Sequence, residues 1–197
     1  MEYRRGSTTI RVIQETLHKA PVQALVSPST MTLTVAGDVD GALHRAAGAE
    51  LLGHAQAIRK AHGNCPPGNA VITLAGNKLA ADYVIHAVGP MWAGGQANEE
   101  DTLYTTYWNA LWLAHQNEVE SVALPSISTG AYRFPLDKAA MVSTQAVIKF
   151  IDEHPERFTS IWHVVRTETE AKAYGAGYTI ALQQPPSTPK PEPKETI

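Results

Sequence analysis

Two stretches of this chain place reactive side chains where backbone N–H groups would also gather. In VAGDVDGALHRAAG (35–48), Asp38 and Asp40 open a helical pattern. A helix N-terminus presents unpaired N–H groups and the positive end of the macrodipole, so it favours anions. A bound phosphate or the two carboxylates themselves can fill that role. In SISTGAYRFP (126–135), Ser128, Thr129 and Gly130 combine hydroxyls, N–H groups and a residue without a Cβ just after a strand-like run. Such a turn can wrap N–H groups around a phosphate, with Tyr132 and Phe134 walling a nucleotide or sugar. The same composition also suits an ordinary polar turn whose aromatics belong to the core.

Two further segments follow apolar runs, SPSTMTLTVAGDVDG (27–41) and HAVGPMWAGG (86–95). Trp92 follows a strand and could border a pocket, whereas Trp108, Trp112 and Trp162 sit in periodic or strand segments that suit a core. Cys65 has no assignable base, and GNCPPG reads as a turn. The histidines show no metal-ligand spacing with one another or with Cys65, so neither a metal nor another cofactor is expected.

The positioning elements follow from periodicity. TIRVI (9–13), VQALVS (22–27), AVITLA (70–75), YVIHAV (83–88), SVALPS (121–126) and IWHVV (161–165) are short, β-branched runs of the kind buried strands require. From Asp40, the residues Leu43, Ala47, Leu51, Ala55 and Ile58 recur at steps of three and four, which predicts one helix of about 20 residues. Glu99–Gln116 and Pro135–Asp152 repeat the pattern, with Pro135 suited to a first helical turn. Strands alternating with helices imply right-handed crossovers and an α/β fold with a largely parallel sheet covered on both faces. The strand pair before the first long helix suggests that the sheet is mixed. Ligands of such sheets bind beyond the carboxyl ends of the strands, where the three segments above lie.

The 197 residues, 44% hydrophobic, suffice for one substantial core. We expect a globular domain over residues 1–183 and a Pro-rich tail over 184–197, whose composition buries too little to offset ordering entropy. A net charge of −3 gives no general attraction to nucleic acid or anionic membranes. The lone Cys65 excludes an intramolecular disulfide, and without an apolar spanning run the expected compartment is the cytoplasm.

Taken together, VDGALHRAAGAELL (39–52), GNCPPGNAVITLAG (63–76), YVIHAVGPMW (83–92) and LPSISTGAYRFPLDKAA (124–140) resemble the macrodomain family, most closely its bacterial ADP-ribose-binding and O-acetyl-ADP-ribose deacetylase-like branch. The resemblance spans about residues 9 to 174. It implies a three-layer α/β/α fold, ADP-ribose or a related nucleotide as ligand, and an ADP-ribosylated protein as a further partner. It also implies that Ser128, Thr129, Gly130, Ala131 and Tyr132 wrap the diphosphate and distal ribose, and that Asp40 takes part in hydrolysis of ADP-ribosyl or O-acetyl linkages. His44 matches a position near the same helix start.

The departures lie opposite that turn. The family Asn that contacts the distal ribose falls on Thr30, and the family's Gly-rich run becomes Val35, Ala36, Gly37 and Asp38. Asp38 adds like charge beside a diphosphate, which Arg133 or Arg166, a bound metal, or a ligand with less phosphate charge could relieve. At the adenine end the family's Gly-Asp falls on Glu15 and Thr16, with Glu15 an alternative acceptor for the adenine amino group. The aromatic that stacks on adenine becomes Arg166, whose planar guanidinium can also stack. The readings are therefore binding with hydrolysis, binding alone, or a fold whose usual ligand has changed or been lost.

Overall fold

The computed structural model describes residues 1–186. Seven strands, β1 (Glu2–Arg5), β2 (Thr8–Gln14), β3 (Ala24–Pro28), β4 (Ala70–Leu74), β5 (Tyr83–Ala87), β6 (Ser121–Leu124) and β7 (Ser160–Val165), form one sheet in the order β1-β2-β7-β6-β3-β5-β4. The five inner strands are parallel, and β1 and β4 pair antiparallel at the two edges. The sheet is thus mixed as expected, but for a different reason. TIRVI and VQALVS are not neighbours, since β7 and β6 lie between them; the antiparallel strands are β4 and the polar EYRR segment, which carries no hydrophobic alternation.

Helices α1 (Gly37–Ala47) and α2 (Ala49–His62) cover one face of the sheet, while α3 (Glu99–Gln116), α4 (Leu136–Glu153) and α5 (Glu168–Leu182) cover the other. Alternation in β3 shows the consequence. Ala24 and Val26 join the core beneath α3 to α5, and Leu25 joins Leu43, Ala47 and Leu51 on the α1 side.

The single helix expected from Asp40 to Ile58 is two. Gly48 takes φ 78 and ψ −169, a conformation nearly confined to glycine, and its N–H closes α1 on the His44 carbonyl. The apolar stripe survives the break, because Leu43, Ala47, Leu51 and Ala55 are all buried. Periodicity reports which face is buried, not whether the backbone is continuous across a glycine. Pro135 lies one residue outside its expected place, at the N-cap of α4.

Arg5 joins β1 to α4 through two hydrogen bonds to Asp152, at 2.6 and 2.7 Å, and donates to the Gln184 carbonyl at 3.2 Å. The expected tail from 184 lies outside the described residues from 187 onward. Among the described residues no helix is long and apolar enough to cross a membrane.

Candidate functional site

The turn after β6 is anchored from below. Tyr107 donates to the Pro125 carbonyl at 2.8 Å and accepts from the Ile127 N–H at 2.9 Å, while Tyr174 donates to the Ser126 hydroxyl at 2.9 Å. Burial raises the pKa of both phenols, so they stay neutral donors. Trp92 packs against Phe134 with centroids 4.7 Å apart and planes tilted by 59°, and donates its backbone N–H to the Tyr132 carbonyl. Trp92 and the buried Phe134 therefore brace the turn from behind, and Tyr132 alone of the three lines the cleft. Among the described residues, no hydrogen bond within the protein uses the N–H groups of Ser128, Thr129, Gly130, Ala131 or Tyr132. A Cβ built on Gly130 meets nothing within 4 Å. The turn is rigid, rich in donors and open on one side, as an oxyanion cradle must be.

Facing it is the N-terminus of α1. Gly37 lines the cleft at φ 68, which a side-chain-bearing residue rarely adopts. Asp40 is fully buried; its Oδ1 accepts from the Ser27 hydroxyl at 2.6 Å and its Oδ2 from the Ala36 N–H at 2.8 Å. Burial raises its pKa, and the Ser27, Ala36 and His44 interactions offset part of that rise. His44 Nε2 stands 3.5 Å from Oδ1 as well, so of the roughly four acceptor positions of a carboxylate about one remains for a ligand hydroxyl or water.

The loop from β3 to α1 keeps its shape without a glycine run. Thr30, Thr32 and Thr34 join their hydroxyls at 2.9 to 3.3 Å, and Leu33 is buried with Ala55, Cys65 and Val88. Met31 and Val35 project outward, at 41% and 45% exposure, and do not fill the cleft. Cys65 is buried in that cluster, where desolvation raises its thiol pKa, consistent with a packing role.

Between these walls lies a cleft of about 300 Å³ at the carboxyl ends of β3, β5, β6 and β7. A second cleft of about 670 Å³, lined by Gln14 to His18, shares Asp38, Val39, Val164 and Arg166 with the first. At the shared rim Arg166 donates to Asp38 at 3.1 Å. Arg166 therefore meets the charge of Asp38, while Arg133 does not line either cleft. In the second cleft Glu15 folds its carboxylate onto the Thr16 N–H at 2.7 Å, which lowers its pKa.

The architecture and donor-rich turn can be compared with known proteins. The Macro domain family model matches residues 26–143. The chain is 44% identical over 167 residues to an O-acetyl-ADP-ribose deacetylase of Escherichia fergusonii, spanning 84% of this chain and 92% of that protein. The chain belongs to the Macro domain family. This macrodomain is also 43% identical to the O-acetyl-ADP-ribose deacetylase of Escherichia coli K12, over 85% of the chain and 93% of the relative. Among solved structures, the Oceanobacillus iheyensis macrodomain with ADP superposes at TM-score 0.87 and 30% identity, covering 93% of this chain and 96% of that one. The Trypanosoma brucei macrodomain in complex with ADP-ribose gives TM-score 0.76 and 29% identity, covering 85% and 68%.

The fold gathers the expected site residues of this macrodomain into the two clefts: Thr30, Gly37, Asp40 and 128–132 in the first, Thr16 in the second, and Arg166 in both. It also adds residues that linear reading passed over. Ser27 clamps Asp40, Ser29 and Gly89 line the first cleft, and Glu170 accepts from the Arg166 N–H at 2.6 Å. The strand-end alternation of Ser27 and Ser29 was the available signal, since it puts both hydroxyls on the α1 face.

Asp40, His44 and His86 come together with one ligand atom each within 4.8 Å of one another, a grouping hidden in sequence because His86 lies on β5. Both Asp40 oxygens already have donors, and His86 Nε2 pairs with the Thr73 hydroxyl at 3.0 Å. Taking a cation there would require displacing at least part of this bonding, so the group reads first as a support for the start of α1.

Proposed function

We propose that this macrodomain binds ADP-ribose and hydrolyses a linkage at its distal ribose. The observation that carries the reading is the segment 128–132, whose five N–H groups have no partner among the described residues and which lines one cleft together with the N-terminus of α1. A diphosphate is the ligand group whose oxygens would use both walls together. The adenine then occupies the second cleft beside Glu15 and Thr16, with Arg166 at the junction, and the distal ribose reaches toward Thr30, Ser29 and Asp40. The deacetylase relatives and the neighbours solved with ADP and ADP-ribose support the same ligand class.

At an O-acetyl ester on that ribose, water adds to the acyl carbon, the ester C–O bond breaks, and acetate leaves while the ribose regains its hydroxyl. In this reading Asp40 accepts the water proton, a role supported by the upward shift of its pKa through burial. An ADP-ribosyl bond to a protein side chain at the same ribose is the second substrate type, which makes an ADP-ribosylated protein the partner and the cytoplasm the compartment. One observation favours binding without turnover. The Thr30 hydroxyl, at the position of the family Asn, is engaged with Thr32 and Thr34.

Calorimetric titration with ADP-ribose tests the binding reading, and acetate release from O-acetyl-ADP-ribose tests the chemistry. Micromolar affinity with release abolished in Asp40→Asn supports the enzyme. Affinity without release supports the binding module, and absence of heat with both ADP-ribose and ADP removes the proposal.

A further inference from the structure

Two hydroxyls lining the first cleft have no partner among the described residues. Ser29 is 5% exposed and Ser128 8%, and the Oγ of each is buried without a hydrogen bond. Buried hydroxyls are nearly always paired, so an orphan pair in one cleft points to a group supplied from outside. Thr30 is the contrasting case, because its hydroxyl meets Thr32 and Thr34 and accepts weakly from the Thr34 N–H.

The two orphans both adjoin the segment that leaves β5. Ser29 donates its backbone N–H to the Ala87 carbonyl, and Gly89, two residues further on, lies directly against Ser128: a Cβ there would stand 2.2 Å from the Ser128 Oγ. Ser29, Gly89 and Ser128 line only the first cleft, whereas Asp38, Val39, Val164 and Arg166 border both. These three residues therefore border the part of the first cleft that the second does not share. Ser29 also follows Ser27 on the same face of the chain, and Ser27 holds Asp40.

Resting on the ADP-ribose reading, we propose that the Ser29 hydroxyl, rather than that of Thr30, holds a hydroxyl of the distal ribose and sets the preference for ADP-ribose over ADP. Ser128 offers the matching group from the opposite wall. A serine hydroxyl both donates and accepts, as a ribose diol requires. With Thr30 at the position of the family Asn and its hydroxyl turned into its own loop, the ribose finds its partner one residue earlier in the chain.

The test is calorimetric titration of wild type, Ser29→Ala and Thr30→Val with ADP and with ADP-ribose, which differ by the distal sugar. Wild type should bind ADP-ribose more tightly, and S29A should weaken ADP-ribose by about 5- to 10-fold, the effect of removing one hydrogen bond, while leaving ADP within twofold. T30V should change both ligands alike. Since the deleted hydroxyl has no partner in the fold, S29A should keep its melting temperature. Equal weakening of both ligands in S29A would make Ser29 structural and overturn the inference, as would selective weakening of ADP-ribose in T30V with S29A unchanged. Wild type that takes up neither ligand overturns the ADP-ribose reading and this inference with it.

Discussion

Replacing Gly89 and Gly130 by alanine, one at a time, separates the support of the turn after β6 from the face that lines the cleft. A Cβ on Gly89 would lie 2.2 Å from the Ser128 Oγ and 2.5 Å from the Ile127 Cγ2. Real approaches of this kind are not seen below about 3 Å, so the turn must move by most of an ångström, against a Ser128 already held at φ 67. Overpacking of that size costs about 1–3 kcal/mol. For a chain of this length that corresponds to a melting temperature lower by roughly 2 to 12 °C. On Gly130 the added Cβ meets nothing within 4 Å, so the melting temperature should stay within about 1 °C while the methyl group enters the space a diphosphate needs. Titration of both variants with ADP should then show G130A losing about tenfold or more in affinity at unchanged stability. G89A melting at the wild-type temperature would refute the steric argument. G130A binding ADP as wild type does would remove the turn as a ligand wall.

Asp38→Asn should tighten ADP binding by about two- to fivefold, because it removes a like charge and frees Arg166; the gain should shrink in high salt, and weaker binding would show that the pair itself shapes the site. His86 and His163 are held neutral by burial down to about 3, with His44 adding to the shift of His86. Their stabilising effect is complete above the ordinary value of 6.5 and is lost as the pH falls, because the unfolded chain takes the protons first. Each should cost about 2 kcal/mol at pH 5 relative to pH 7.5, with the raised pKa of Asp40 acting in the opposite direction; denaturant unfolding at the two pH values checks this, and a His163→Gln variant with the same pH dependence as wild type would contradict the burial of a neutral imidazole there. At Glu99, burial raises the pKa, but N–H groups of Ala93, Gly95 and Ala97 outweigh it and draw the carboxyl down to about 2. Glu99→Gln should therefore melt lower than wild type at pH 7, with the gap closing as the pH falls from 4.5 toward 2; a gap that does not depend on pH would assign the effect to shape alone.

The parallel core of the fold was legible because its strands are buried on both faces and read as apolar runs. β1 was missed because EYRR forms an edge whose burial pattern is half exposed. The site was legible where one local segment supplies it, as at Ser128 to Tyr132. It was less so where partners come from distant segments: nothing local in SPST distinguishes a Thr30 hydroxyl absorbed by its own loop from a Ser29 hydroxyl buried without a partner.

Sequence alone determined the six apolar strands, the helices α3 and α4, the turn after β6 and the carboxylate near the start of α1, because periodicity and glycine placement act over a few residues. Tertiary structure decided which charge meets Asp38, since Arg166 lies 128 positions away in the chain. It likewise decided that Asp40 is clamped by Ser27 and Ala36, and that Gly89 and Ser128 touch. These outcomes depend on the strand order, which brings the carboxyl ends of β3, β5, β6 and β7 to one cleft, and no short-range preference encodes that order.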